Sequence, residues 1–244
     1  MRQRTVAVVQ ARMGSQRFPG KMMAPLGTAP LLSWVLRRVS AAGEVDEVML
    51  ATSDNERDDP LAELAAQLGV SVFRGPEDDV LARFVGAATA ANAEWAIRVC
   101  ADNPFVDPGE IDRLVRFFSA NPCDYACNHL DRMGSGYADG FGAEILSLSL
   151  LQRLAVLASD ARHREHVTLY LWDHQNDFRL SAVPAPPELH HPRLRFDVDQ
   201  PIDLESLAHH VANGVTVMSA AAHIVQAALA SGGADGTNTR TDGM

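Results

Sequence analysis

The chain has 244 residues, of which 47% are hydrophobic and 21% charged, and its formal net charge is −10. This length suffices for one large α/β domain, and the acidic balance argues against nucleic acid or an anionic membrane as the main partner. No apolar run approaches the roughly 20 residues that span a bilayer. The first residues lack a signal-peptide cleavage site. The odd number of cysteines (Cys100, Cys123 and Cys127) favours a reducing cytoplasm over a disulfide framework.

Strands and helices alternate through the first half of the chain. The predicted strands cover residues 6–9, 45–51, 70–73 and 95–100, and the predicted helices cover 30–39, 61–68, 80–92 and 108–118. This alternation is typical of an α/β fold in which helices cover both faces of a mostly parallel twisted sheet.

The pattern weakens between residues 121 and 142 and then resumes. Segments 124–129, 143–146 and 194–201 are predicted strands, and segments 148–157, 164–172, 203–213 and 217–229 are predicted helices. We expect one domain over residues 1–230, with a small insertion lobe at about 121–180. The Gly-, Asp- and Thr-rich tail, residues 231–244, is expected to be disordered.

The most informative segment is the loop after the first strand, residues 11–21, here called the basic loop. It holds two glycines, a proline, a serine and three cations (Arg12, Arg17 and Lys21). Its spacing fits neither the dinucleotide fingerprint nor a Walker loop. Cations and glycines directly after a buried strand nevertheless favour phosphate binding at the carboxyl end of a sheet. A nucleoside triphosphate site is predicted, and a solvated surface loop is the weaker alternative.

Acidic residues at two distant strand ends complement this loop. Asp102 follows the strand at 95–100, and Asp197 and Asp199 lie two residues apart on the predicted last strand, so that they face the same side. Mg²⁺ prefers one or two carboxylates together with phosphate oxygens. Asp102 could alternatively form an Asx turn before a proline. Asp203 is expected to cap the helix that follows.

The pattern Ala11-Arg-x-Gly-Ser-x-Arg-x-Pro-Gly-Lys21 resembles the signature of the sugar-acid cytidylyltransferases. It is most similar to the spore-coat polysaccharide branch, whose relatives are the CMP-KDO and CMP-sialic acid synthetases. The resemblance extends from Val6 to about Leu207. Its further matching stretches follow family order: residues 52–54, 75–83, 101–104, 137–144, 164–168 and 197–204.

The resemblance implies a Rossmann-like, GT-A-like nucleotidyltransferase with a three-layer α/β sandwich, a homodimer formed through Asn121–Trp172, and transfer of CMP from CTP to a small acidic acceptor. It assigns catalysis to Arg12, Lys21, Asp102 and Asp199, and it assigns Mg²⁺ to Asp102 and Asp199 with Asp197 as a third candidate. The implied substrate-binding residues are Gln10, Ala11, Arg12, Met13, Gly14, Ser15, Arg17, Lys21, Thr52, Ser53, Asp54, Asp79, Arg83, Asp102, Asp139, Glu144 and His166.

Several alternatives stay open at this stage. Arg83 could pair with Asp79 one helical turn away, Asp139 could belong to an ordinary turn, and His166 could be a core histidine. Ala101, Asn103 and Gln200 depart from the family pattern, which leaves the acceptor undefined: a sugar acid, a phosphonate or a polyol phosphate. A UTP- or GTP-dependent sugar nucleotidylyltransferase and a non-catalytic nucleotide-binding regulator are the rival functions.

Overall fold

The computed structural model describes residues 2–129 and 131–231. Its nine strands within these ranges are β1 Thr5–Gln10, β2 Pro25–Leu26, β3 Ala29–Pro30, β4 Glu47–Ser53, β5 Ser71–Gly75, β6 Trp95–Cys100, β7 Tyr125–Cys127, β8 Glu144–Ser147 and β9 Leu180–Ala182. Seven of them form one sheet in the order β5-β4-β1-β6-β8-β7-β9, and β2 and β3 form a separate hairpin. The predicted tail lies, from residue 232 onward, outside the described residues.

The sheet is mostly parallel, as the alternation of elements predicted. β1 pairs in parallel with β4 and β6, β4 with β5, and β7 with β9. Only β8, inserted between β6 and β7, runs antiparallel to its neighbours in this part of the structure. The carboxyl ends of β1, β4 and β6 therefore meet at one edge of the sheet.

Helices cover both faces and complete three layers. They are α1 Leu31–Val39, α2 Asp59–Gln67, α3 Val80–Ala90, α4 Pro108–Ala120, α5 Leu148–Leu157, α6 Ala161–Glu165, α7 Leu169–Asp173, α8 Pro201–Ala212 and α9 Ala221–Ser231. Alternate residues of β1 serve the two apolar layers: Ala7 and Val9 belong to the core that includes α1 and α4, and Val6 and Val8 to the core that includes α3 and α5. Such two-sided burial explains why β1 reads as a continuous apolar run. None of the described helices is long and apolar enough to cross a membrane.

The predicted last strand is wrong. Residues 194–199 form no strand, and their strand-type pairing within the described chain is a single bridge between Arg195 and Asp139. The amides of Phe196 and Val198 donate instead to the carbonyls of Asp139 and Asp102. This segment thus lies against two loops, where no neighbouring strand is available to extend a ladder.

Three further differences concern the second half of the chain. The helix predicted at 164–172 is two short helices, α6 and α7, separated by residues 166–168. The segment expected to form an insertion lobe contributes β7 and β8 to the main sheet. Asp203 caps α8 from inside its first turn, where its carboxylate accepts from the amides of Asp199 and Gln200 at 2.9 and 2.7 Å. Gln200 itself occupies the N-cap position.

Candidate active site

The basic loop, Asp102 and Asp199 meet at the carboxyl edge of the sheet. Lys21 Nζ lies 3.4 Å from Asp102 Oδ2 and donates to the carbonyl of Val198 at 2.6 Å. Arg17 Nη1 donates to Asp199 Oδ2 at 3.0 Å. The amide of Val198 donates to the carbonyl of Asp102 at 2.8 Å, which fixes the two acidic segments side by side. The expected convergence of these distant residues is therefore present.

Local hydrogen bonds give the basic loop its shape. The carbonyl of Met13 accepts from the amides of Ser15 and Gly20 at 2.9 and 3.2 Å. Gly20 has a φ of 74°, in the left-handed region that favours glycine, and it begins a 3-10 turn at Lys21–Met23. This turn directs Lys21 inward, where it is only 8% exposed.

A cavity of about 650 Å³ opens beside the basic loop, here called the larger cavity. Its lining includes the predicted residues Gln10, Ala11, Arg12, Gly14, Ser15, Arg17, Lys21, Arg83, Asp102 and His166. Within it, Arg12 Nη2 lies 3.3 Å from Glu165 Oε1, at the end of α6. Burial, and next the nearby charge of Arg12, lower the pKa of Arg83. Such crowding of cations suits an anionic ligand.

A second cavity of about 430 Å³, the smaller cavity, contains the predicted residues Asp102, Asp139, Glu144, His166 and Asp197 in its wall. Arg195 lies between two of these acids. Its Nε and Nη2 donate to the two oxygens of Asp197 at 2.9 and 2.6 Å, and its Nε is 4.0 Å from Asp139. Burial, and next the charge of Asp197, raise the pKa of Asp139 to about 7.

The two cavities adjoin, because four residues line both: Arg98, Cys100, Asp102 and His166. Burial raises the pKa of Cys100 to about 12 despite the nearby Arg98, so its thiol remains neutral. His166 is exposed, which excludes the core-histidine alternative. A ligand that extends through both cavities would contact these four residues where the cavities join.

Beneath this junction lies a buried charge network centred on Glu144, which is 2% exposed. Its carboxylate accepts from Arg98 Nη1 and Tyr125 Oη, both at 2.8 Å, and from Thr168 Oγ1 at 3.1 Å. Burial opposes the charge of Glu144, but Arg98 and then His129 outweigh it and lower the pKa to about 2. Glu144 therefore stays ionised and serves to hold Arg98.

Other predicted residues lie outside the walls of both cavities: Met13, Thr52, Ser53, Asp54, Asp79 and Asp199. The hydroxyls of Thr52 and Ser53 donate to Asp58 Oδ2 at 3.2 and 2.5 Å, and the amide of Met13 donates to Asp58 Oδ1 at 2.8 Å. Asp58 is fully buried. The stretch after β4 thus anchors the basic loop through Asp58, a residue that the sequence did not single out.

The alternative in which Arg83 pairs with Asp79 is not what the structure contains. Arg83 is 2% exposed, and its Nη1 donates to the carbonyls of Pro76 and Glu77 at 2.6 and 3.1 Å. Asp79 caps α3 by accepting from the amide of Ala82 at 2.9 Å, and it forms an ion pair with Arg164. Arg83 therefore fixes the loop that borders the larger cavity.

Sequence reasoning also missed Arg98, Glu165 and Arg195. Arg98 carried a signal, since a charged residue inside a predicted buried strand requires a partner. Glu165 lies in a matched stretch, but only the fold brings it to Arg12. Arg195 also carried a signal, since alternation in the predicted strand places it on the same side as Asp197, whereas its approach to Asp139 depends on the fold.

The donor set fits a magnesium ion that arrives with a nucleotide. In the described part of the chain, no three His, Cys, Asp or Glu side chains are grouped as metal ligands. Asp102 and Asp199 supply hard oxygen donors, and Mg²⁺ commonly uses one or two carboxylates together with phosphate oxygens. Asp197 is less suited, because Arg195 engages both of its oxygens.

Comparison with known proteins identifies the family. The family model described as "Cytidylyltransferase" matches residues 6–216. The chain is 35% identical over 211 residues to the spore coat polysaccharide biosynthesis protein SpsF of Bacillus subtilis, covering 82% of this chain and 83% of that protein.

Two further comparisons agree. The chain is 30% identical over 119 residues to the 3-deoxy-manno-octulosonate cytidylyltransferase of Trichlorobacter lovleyi, covering 48% of this chain and 46% of that protein. Its fold matches the structure of a cytidylyltransferase from Leptospira borgpetersenii with a TM-score of 0.88 and 27% identity, over 99% of this chain and 100% of that one. The chain therefore belongs to the cytidylyltransferase family of nucleotidyltransferases.

Proposed function

We propose that the protein transfers CMP from CTP to a hydroxyl group of an acidic acceptor, such as a sugar acid, and releases pyrophosphate. The observation that carries this proposal is the pairing of Lys21 with Asp102 and of Arg17 with Asp199, in which Lys21, Asp102 and Arg17 line the larger cavity. Cations for a triphosphate and carboxylates for its metal ion are thereby held side by side. The relatives named for the spore coat polysaccharide and for 3-deoxy-manno-octulosonate support an acidic sugar in a cell-surface pathway.

In this proposal the triphosphate occupies the larger cavity. Arg12, Arg17 and Lys21 exchange their present carboxylate partners for phosphate oxygens, and amides of the basic loop approach the same oxygens. Asp102 and Asp199 would hold Mg²⁺, which would supply charge neutralisation and polarisation of phosphate oxygens. Arg83 fixes the loop bordering the nucleoside and contributes further positive charge to this cavity.

The acceptor occupies the smaller cavity, so that its hydroxyl oxygen reaches the α-phosphorus at the junction. A new bond forms between that oxygen and the α-phosphorus, and the bond from this phosphorus to the bridging oxygen breaks. Pyrophosphate leaves with the bonding electrons, and the hydroxyl proton passes to a carboxylate. Asp139, whose pKa is about 7, is suited to accept this proton near neutral pH. Positioning and charge neutralisation supply most of the rate enhancement in such transfers.

The test is pyrophosphate release with each of the four nucleoside triphosphates, measured across a panel of sugar acids, phosphonates and polyol phosphates. We expect turnover with CTP and a sugar acid, and loss of nearly all turnover in Asp102→Asn and Asp199→Asn with the melting temperature retained. Asp124→Asn is a matched control, because Asp124 also pairs with an arginine, Arg179, but lies outside both cavities. Equal turnover with UTP or GTP would contradict the CTP assignment. Full function in both site variants would favour a non-catalytic nucleotide-binding regulator.

We also propose the homodimer that the resemblance implies. Val156 and Leu157, at the end of α5, are 84% and 37% exposed, and they lie in the segment expected to form the contact. Exposed apolar side chains of this size are suited to an interface between subunits. Sedimentation of the wild type and of Val156→Asp tests this, and a monomeric wild type would contradict it.

A further inference from the structure

Arg98 occupies the position where the two cavities join. It lies on β6 and lines both cavities together with Cys100, Asp102 and His166. Among these four residues it is the only arginine or lysine. A group bound at this junction would touch both substrates, and in a nucleotidyl transfer that group is the α-phosphate.

The guanidinium of Arg98 is held rigidly on two sides. Its Nε donates to Gln10 Oε1 at 3.1 Å, and its Nη1 donates to Glu144 Oε2 at 2.8 Å. Glu144 is fixed in turn by Tyr125 and Thr168. The side chain of Arg98 is 13% exposed. The orientation of this cation is therefore set before any substrate arrives, which is the condition for strong electrostatic stabilisation.

One nitrogen of this guanidinium is available to a ligand. Within the described part of the chain, the bonds of Arg98 use Nε and Nη1, and Nη2 donates to no residue. Its location at the junction distinguishes Arg98 from Arg12, Arg17 and Lys21, which line the larger cavity but not the smaller one. Those three residues suit the departing pyrophosphate, whereas Arg98 suits the group that is transferred.

We propose that Arg98 is a catalytic residue whose Nη2 donates to a non-bridging oxygen of the α-phosphate. This inference rests on the proposed function and assigns one step within it. Negative charge on the α-phosphate is redistributed as the new bond forms and the bridging bond breaks, and a fixed guanidinium stabilises it without reorganisation. Glu144 and Gln10 are positioning residues that act through Arg98.

The first experiment compares the binding of CMP and of cytidine by calorimetry, with Mg²⁺ present. CMP carries the phosphate that we assign to Arg98, and cytidine lacks it. In Arg98→Met we expect CMP affinity to fall about ten- to hundredfold, the usual loss for a hydrogen bond to a charged group, while cytidine affinity is unchanged. Unchanged CMP affinity, or equal losses for both ligands, would overturn the proposal.

Two further variants control for folding. Arg98→Met leaves Glu144 as a buried carboxylate without its main partner, so the double variant Arg98→Met/Glu144→Gln removes both charges and should show the same loss of CMP affinity. Arg113→Met is the matched control: Arg113 also pairs with a glutamate, Glu110, but it lies outside both cavities. CMP affinity should be unchanged in Arg113→Met, and a loss equal to that in Arg98→Met would refute a specific phosphate contact.

Steady-state kinetics separate the α-phosphate from the acceptor. We expect Arg98→Met to lower kcat at least tenfold with little change in the KM of the acceptor. A higher acceptor KM with unchanged kcat would mean that Arg98 binds the acceptor, and the proposal would be wrong. Failure of the proposed function can be distinguished from failure of the role of Arg98. A wild type that uses UTP or GTP as well as CTP refutes only the choice of nucleotide. Every nucleoside triphosphate presents the same α-phosphate to Arg98.

Discussion

Glu165 forms an ion pair with Arg12, a cation that we expect to bind the triphosphate. Its Oε1 lies 3.3 Å from Arg12 Nη2, and the two side chains are 52% and 32% exposed. Pairs this exposed contribute about 0.2–1 kcal/mol. Because 1.4 kcal/mol corresponds to a factor of ten, Glu165→Gln should tighten CTP binding by roughly 1.4- to fivefold. Arg12 then no longer has to leave a carboxylate before it contacts a phosphate.

Calorimetric titration of CTP into the wild type and Glu165→Gln, at low and high ionic strength, measures this difference. The difference should shrink at high salt, because ions screen exposed pairs. Glu63→Gln, which removes an exposed helical glutamate outside both cavities, should leave the affinity unchanged. Weaker CTP binding in Glu165→Gln would refute the reasoning, since Glu165 would then contribute to nucleotide binding instead of competing with it.

Three other substitutions test the support of the site. Asp58→Ala leaves the amide of Met13 and two buried hydroxyls without their acceptor, at a cost of about 1–3 kcal/mol for each unsatisfied group. Calorimetry should therefore show weaker CTP binding, and thermal denaturation should show a lower Tm. A Tm equal to that of the wild type would contradict this prediction. Gly142→Ala would place a Cβ in a clash with the carbonyl oxygen of Asn128 and should destabilise the fold by ~1–3 kcal/mol in denaturant titrations. Unchanged stability would contradict this prediction. The pKa of Asp139 is raised from 3.8 to about 7, so between those pH values the folded state retains a proton that the unfolded state has lost. The contribution of Asp139 to the free energy of unfolding therefore decreases as pH rises. Urea titrations in EDTA should show that Asp139→Asn removes this decrease, and parallel pH profiles of the variant and the wild type would contradict the prediction.

Much of the α/β frame could be predicted, because apolar runs bounded by turn residues were distinct. β6 and α5 have the predicted bounds. The failure at residues 194–201 is instructive, because Phe196 and Val198 are buried at alternate positions as in a strand. Alternation reports which side chains are buried, but it does not reveal whether the neighbouring backbone is a strand or a loop. Here the neighbours are the loops at Asp102 and Asp139.

The site was predictable where its residues follow a strand end. Lys21 and Asp102 follow β1 and β6, which are adjacent and parallel, so their meeting follows from the strand order. The network of Arg98 was not predictable, because Gln10 and Glu144 come from strands on opposite sides of β6. No sequence pattern specifies that the antiparallel strand β8 is inserted there. Cross-strand partners of this kind depend on the sheet order itself.

The charge arrangement explains how an acidic chain can prepare a site for a polyanion. Three clustered cations would repel one another in an unpaired loop, but each of them has a carboxylate from a distant segment: Glu165, Asp199 and Asp102. These pairs offset the mutual repulsion of the three cations. A triphosphate that takes the cations releases the carboxylates, and two of those carboxylates are the proposed magnesium ligands. The negative charge of CTP alone would repel the released carboxylates, whereas Mg²⁺ bound with CTP would be a new positive partner for them. Nucleotide and metal should therefore each raise the affinity of the other by the same factor.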